Sequence, residues 1–364
     1  MYAPIVWALR NRRVRESALA LIVVTALLPT AARAIVVKDN LYAVKTVSAS
    51  EAWAVGNFGS VYHTTDGGKT WEARDSGTKV PLFGVDFAGD QGWIVGKSCV
   101  ILHTADGGRT WQTQKSAIPP EKPLFSVKAI DARTAWVVGD WGAMAVTHDG
   151  GATWEDRSLG TVPIKVEQSP DRTTTTLSDD IILYDISFPD PQHGYIAGEF
   201  GTVLATTDGG NTWQKQDVGT DKTLFGVSFP TPEKGWAVGI DGLILRTRDG
   251  GKTWQVQRGA THEESIEELG FLETLKNPGL YDVEVAGQYG AVVGDTGKLL
   301  TTADGGETWT EQQLPEKQKL VWMRGVSLVP GTHGFVVGAN GFAGAIDHDR
   351  VTVPNGGPKA APSP

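Results

Sequence analysis

Six near-copies of one phrase run through this chain: an aromatic, V-G-x-x-G, three or four strand-forming residues, then T-x-D-G-G-x-T-W. They extend from Trp53 to Trp71, Trp93 to Trp111, Trp136 to Trp154, Tyr195 to Trp213, Trp236 to Trp254 and Ala291 to Trp309. In each, the first residue stands 13 positions before the Asp of the closing box. A unit this short that reads as strands and turns cannot bury its own apolar face. Neighbours must stack around an axis into a closed radial β architecture, whose function lies in loops and faces rather than in a catalytic core.

A second phrase counts seven. It reads Leu41-Tyr42-Ala43-Val44, Leu82-Phe83-Gly84-Val85, Leu124-Phe125-Ser126-Val127, Leu183-Tyr184-Asp185-Ile186, Leu224-Phe225-Gly226-Val227, Leu280-Tyr281-Asp282-Val283 and, altered, Met323-Arg324-Gly325-Val326. Each unit then supports four short strands: this phrase, W-x-V-G, the stretch after G-x-x-G, and the segment begun by T-W. Strand formers bounded by Gly, Asp and Asn at regular intervals favour strands over helices. The expected fold is all-β, a seven-bladed β-propeller of four-stranded blades with Asp-box turns, spanning 35–354. Its seventh unit continues through Phe335-Val336-Val337-Gly338 but lacks the box. That blade needs an outer strand from Arg350 to Val353 or from Ile35 to Val37. The second choice, which would fasten the chain ends together, is the expected one.

Residues 1–34 read as a signal peptide, with Arg10, Arg12, Arg13 and Arg15 before an apolar run from Ser17 to Leu28 and a small-x-small site at Ala32-Arg33-Ala34. That places the chain in an exported compartment, the periplasm or a thylakoid lumen. Removing the segment's five basic residues and one acidic residue takes the formal charge from -9 to -13, which argues against nucleic acid as partner. Cys99 is the only cysteine, so no internal disulfide forms. Residues 355–364 read as a disordered tail.

The box aspartates Asp66, Asp106, Asp149, Asp208, Asp249 and Asp304 stand at turns where a short carboxylate accepts backbone N–H groups and the glycines accept φ > 0. Trp71, Trp111, Trp154, Trp213, Trp254 and Trp309, five residues later, fold back between blades, each large apolar side chain stabilising by roughly 1.5–3 kcal/mol. One site per blade cannot converge, so these residues read as structural and not as a metal or substrate site. These are Asp-box (BNR-type) repeats. The pattern G-W-x-V-G-x-x-G-x-I-L-x-T-x-D-G-G-x-T-W, repeated after a signal peptide from Ile35 to Val353, resembles the photosystem II stability/assembly factor-like family. The resemblance implies a lumenal or periplasmic, non-enzymatic propeller without cofactor that holds a membrane-protein client during assembly.

In an up-and-down blade, the G-x-x-G turns and the interblade linkers share one face, while the boxes emerge on the other. The first face therefore also carries two insertions, 155–182 and 255–279, which stretch the spacing of successive box Asp residues to 59 and 55 from values of 40 to 43 elsewhere. On it, Phe58, Trp141 and Phe200 are large aromatics at turn positions, and Asp140, Glu199, Asp241 and Asp295 ring them with negative charge. Arg324 takes the place of an aromatic and is expected at the channel mouth. These eight residues are the candidate surface for a membrane or envelope protein client, bound by a monomer. The first insertion reads as a polar loop. The second reads as a short helix capped by Thr261 and Glu264, with Ile266, Leu269, Leu272 and Leu275 on one side. Two other classes compete: a glycan-binding propeller, and a sialidase-like glycoside hydrolase in which Asp185 and Asp282 would flank a bond alongside Glu199 and Asp241. The arginines are scattered, against the sialidase pattern. The seven histidines are dispersed, with no metal-ligand spacing.

Overall fold

The computed structural model describes residues 37–166, 180–259, 277–329, 333–348 and 350–352. The signal segment, the Thr261–Glu264 capping box with its apolar residues, and the 355–364 tail lie outside them. Within them the chain forms seven sheets, one per repeat, each with four antiparallel strands running in sequence order from the axis outward. The first strands are Leu41–Thr46, Leu82–Ala88, Leu124–Ala129, Leu183–Ser187, Leu224–Ser228, Leu280–Ala286 and Met323–Leu328. This is the seven-bladed propeller expected from the repeat.

Ring closure differs from the expectation. The outer strand of the seventh blade is Arg350–Thr352, paired with Ala343–Asp347. The N-terminal end instead enters beside the last blade's turn: Gly341 N–H donates to Asp39 O at 2.9 Å and Asn340 N–H to Asn40 Oδ1 at 2.9 Å. The hairpin wins because it pairs neighbours a few residues apart, at little loop-closure cost. First and last blades are stitched at the axis by Thr46, whose N–H donates to Ser327 Oγ at 3.0 Å and whose hydroxyl donates to Ser327 O at 2.6 Å.

The first insertion also does more than loop. Leu159, Val162 and Ile181 are buried in the core between blades three and four. Ile164–Val166 adds to Trp213–Lys215 as a parallel fifth strand, covering the outer edge of blade four. Residues 167–179 lie outside the described residues.

At six of the seven blade boundaries a box tryptophan meets the core beside a second-strand aromatic of the preceding blade. Trp71 meets Phe335 at 5.8 Å, Trp111 meets Trp53 at 6.0 Å, and Trp213 meets Trp136 at 5.8 Å, all edge to face. Trp154 shares a core cluster with Trp93, Trp254 packs on the cluster that holds Tyr195, and Trp309 on the one that holds Trp236. In each case the box residue lies one blade beyond the second-strand aromatic. The second glycine of the box makes the seat: a Cβ on Gly210 would stand 2.2 Å from Trp136 Cζ2.

Candidate interaction face and central channel

Two turn systems define the two faces. The boxes meet the first-to-second turns, as in Gly67 N–H to Ser50 O and Gly107 N–H to Asp90 O, both 2.9 Å. Each box is self-contained. Asp208 accepts Thr206 Oγ at 2.7 Å, Thr212 N–H at 2.9 Å and Thr212 Oγ at 2.7 Å, while Gly210 N–H donates to Thr206 Oγ at 2.9 Å. The Thr110 and Thr153 amides hold Asp106 and Asp149 down to a pKa of about 2. Asp304 is held at about 2 by the Thr308 hydroxyl first of all. These carboxylates point along the turn they brace.

The opposite face carries the G-x-x-G turns against the linkers, as in Asn57 N–H to Asn40 O at 3.0 Å and Gly201 N–H to Lys222 O at 3.0 Å. The third residue of each turn adopts positive φ: Phe58 at 58°, Ser98 at 61°, Trp141 at 53°, Phe200 at 53°, Asp241 at 57°, Thr296 at 48° and Asn340 at 56°. This left-handed conformation suits Asn, Asp or Gly and costs about 1–3 kcal/mol for other residues. Phe58, Trp141 and Phe200 are nevertheless 70, 60 and 63 % exposed. They occupy strained positions and recover little by burial.

The acids of that face are tied down. Asp140 accepts Trp141 N–H at 2.9 Å, and Asp295 accepts Thr296 N–H at 2.8 Å, each steadying its own turn. Glu199 accepts Ile182 N–H at 2.9 Å and so anchors the incoming linker. Asp241 pairs with the buried Lys222 ammonium at 2.8 Å. The four acids thus each hold a local contact, with Asp241 alone paired to a cation, and the three aromatics stand exposed beside them.

At the axis, the second residue of every first strand lies at a register irregularity against its neighbour: Tyr42, Phe83, Phe125, Tyr184, Phe225, Tyr281 and Arg324. A bulge re-aims its side chain. Here all seven turn into the channel mouth, and the rings meet in series at 5.4, 5.5, 5.8, 4.9 and 5.4 Å. Arg324 completes this collar, exposed, with its guanidinium carbon 4.5 Å above the Tyr281 ring. The collar belongs to the G-x-x-G face, since Tyr42 Oη donates to Asn57 Oδ1 at 3.0 Å. Burial, and then the charge of Glu199, push the Tyr184 hydroxyl up to about 12; Asp140 adds to the shift and Arg324 opposes it. Asp140, Glu199 and Arg324 therefore share one mouth.

A cavity of about 250 Å³ extends from the collar into the channel, lined by the collar side chains and by charged residues of the first strands. Asp185 accepts Ser126 Oγ at 2.8 Å, Ile186 N–H at 2.8 Å and Val227 N–H at 3.0 Å. Asp282 accepts Val283 and Val326 N–H, both at 2.8 Å. One level deeper, Asp86 accepts Ala129 N–H at 2.9 Å and meets Lys45 at 2.6 Å and Lys128 at 3.5 Å, while Glu284 accepts Leu328 N–H at 2.9 Å. Each carboxylate takes a backbone amide of the next blade, so the channel acids also lock the ring. Asp185 and Asp282 reach one cavity, while Glu199 accepts Ile182 N–H at the mouth above and Asp241 pairs with Lys222.

The collar's completeness and the deeper charges Lys45, Asp86, Lys128 and Glu284 escaped the sequence reading. The signal was present as the second and fifth columns of the seven aligned first strands.

Residues 28–172, 162–221 and 211–274 match the family described as Photosynthesis system II assembly factor YCF48. Among curated proteins, the chain is 51% identical over 43 residues to the chloroplastic Photosystem II stability/assembly factor HCF136 of Guillardia theta, a stretch covering 11% of each. It is 38% identical over 58 residues to the Photosystem II assembly lipoprotein Ycf48 of Prochlorococcus marinus, 16% of this chain and 17% of that one. The chain thus aligns with only a small part of either relative's length. Among solved structures, YCF48 bound to D1 peptide superposes with TM-score 0.62 at 20% identity, over 87% of this chain and 96% of that one. YCF48 from Cyanidioschyzon merolae gives 0.65 at 21%, over 86% and 97%. The GH74 xyloglucanase of Xanthomonas campestris gives 0.65 at 13%, over 87% and 53%, a likeness of fold alone.

Proposed function

The chain belongs to the Photosynthesis system II assembly factor YCF48 family, and from that membership we propose that it is an exported, non-enzymatic scaffold that holds a membrane or envelope protein client through its G-x-x-G face. The observation that carries this reading is the set of Phe58, Trp141 and Phe200, exposed at turns whose backbone favours small polar residues. Selection for folding alone would replace them, as Ser98, Asp241 and Asn340 do in sister blades. Aromatic anchors supply much of the energy of protein interfaces. A YCF48 structure carries a D1 peptide, and an extended client segment is the comparable ligand here. Export rests on the basic and apolar character of residues 1–34.

Affinity capture of the tagged mature chain from solubilised membranes, after mild crosslinking, tests the reading. One membrane protein is expected to co-purify reproducibly. Recovery of the bait alone overturns the scaffold reading.

A further inference from the structure

The central channel is more than the hole a ring leaves. Its first layer below the collar consists of Ala43, Gly84, Ser126, Asp185, Gly226, Asp282 and Gly325, in which the only charges are the two carboxylates. The next layer is balanced: Lys45 and Lys128 stand against Asp86 and Glu284, with Ser187, Ser228 and Ser327 between. Two carboxylates therefore sit directly beneath six aromatic rings, with Lys128 as the cation acting on Asp185 from the layer below. We propose that the channel receives a cationic side chain, the ammonium of a lysine or the guanidinium of an arginine borne by the bound partner, which enters through the collar and is paired by Asp185 and Asp282.

Four features support this assignment. The collar already holds a guanidinium, Arg324 over Tyr281, so its ring faces accept a cation. A carboxylate offers about four lone-pair sites; Asp185 receives three donors and Asp282 two, so both retain acceptor capacity. Burial, with the charge of Asp185 next, raises Asp282 well above the usual carboxylate range, and burial raises Asp185 and Glu284. Pairing with an arriving cation would favour the charged carboxylates and so promote release of any proton the site holds. Finally, about 250 Å³ is below the usual 300–1,000 Å³ of small-molecule sites and suits one side chain. An anion would meet Asp185 and Asp282 before reaching Lys45 or Lys128.

The inference rests on the client-binding reading only for what carries the cation, and its test needs no client. The full mature chain is titrated calorimetrically at low ionic strength with acetyl-Gly-Gly-Lys-Gly-Gly-amide, its arginine and norleucine counterparts, and putrescine. Saturable 1:1 binding of the lysine or arginine peptide is expected, with proton release, and roughly tenfold weaker binding of the norleucine peptide. Asp282→Asn is expected to weaken the cationic peptide roughly tenfold and to abolish proton release, while Lys69→Ala on the box face changes nothing. If Asp282→Asn melts early, the peptide series on the wild type decides alone. Equal affinity for norleucine, no binding at millimolar peptide, or tighter binding of putrescine than of either cationic peptide overturns the proposal. Client capture that persists despite such a result would leave the scaffold reading standing.

Discussion

Replacing Gly210 with alanine isolates the contact that joins one blade to the next. Gly210 has φ +89°, and an added Cβ would stand 2.2 Å from Cζ2 and 2.6 Å from Cη2 of Trp136. That ring is 2% exposed and is held edge-on by Trp213, so it has nowhere to retreat. Gly160 is the matched control: its φ is +88°, and nothing lies within 4 Å of an added Cβ. Both substitutions incur the left-handed penalty of about 1–2 kcal/mol. Only Gly210→Ala adds overpacking, about 1–3 kcal/mol. The expected losses are therefore about 2–5 kcal/mol for Gly210→Ala against about 1–2 for Gly160→Ala. Thermal and urea midpoints measured side by side give the difference, at about 1–3 °C per kcal/mol for a chain of this length. The comparison is between midpoints because stacked repeats can depart from two-state unfolding. Trp136→Leu in the Gly210→Ala background should recover part of the loss, because the clashing ring is gone. Equal losses at Gly210 and Gly160, or no coupling to Trp136, would refute the account of how the boxes join blades.

Stability should also depend on pH in two opposed ways. Asp185, Asp282 and Glu284, raised by burial, hold protons that the unfolded chain releases, so stability increases as pH falls from neutrality through their range. Asp106, Asp149 and Asp304, held at about 2, contribute fully above about pH 4 and lose that contribution as pH falls toward 2. The melting temperature is expected to peak in mild acid, with Asp282→Asn flattening the limb above the peak; a steady rise from acid to pH 8 would contradict this. Glu307→Gln should cost about 1–3 kcal/mol by stranding the Arg246 guanidinium, which is 4% exposed beneath Trp236. Measured at high salt, that loss should persist. Phe58→Asn, Trp141→Asn and Phe200→Asn should each leave the melting temperature nearly unchanged, because relief of positive φ offsets the modest area lost. A drop of about 3 kcal/mol, as for a core aromatic, would show these rings to be packing elements.

The fold was legible because the repeat spells out its own strands and turns: Trp53 to Trp71 already holds second strand, turn, third strand and box. What stayed hidden depends on register or on distant partners. The outer strand Arg350–Thr352 carries no box to mark it, and Ile35 to Val37 looks as apolar in isolation. Ile164–Val166 adds to blade four from inside a polar stretch, and only its parallel pairing with Trp213–Lys215 reveals it. The collar needs the bulge after the first residue of each inner strand, which hydrophobic periodicity does not encode. The local partners of Asp140, Glu199, Asp241 and Asp295, which are Trp141 N–H, Ile182 N–H, the Lys222 ammonium and Thr296 N–H, are likewise invisible in a sequence.

Photo-crosslinking from single positions tests the function most directly. A photoreactive residue is placed in turn at Phe58, Trp141 and Phe200 on one face, and at Lys69 and Lys252 on the box face. The account predicts crosslinks to one membrane or envelope protein from the first three positions and none from the last two. Crosslinks confined to the box face, or equal from both, would contradict it.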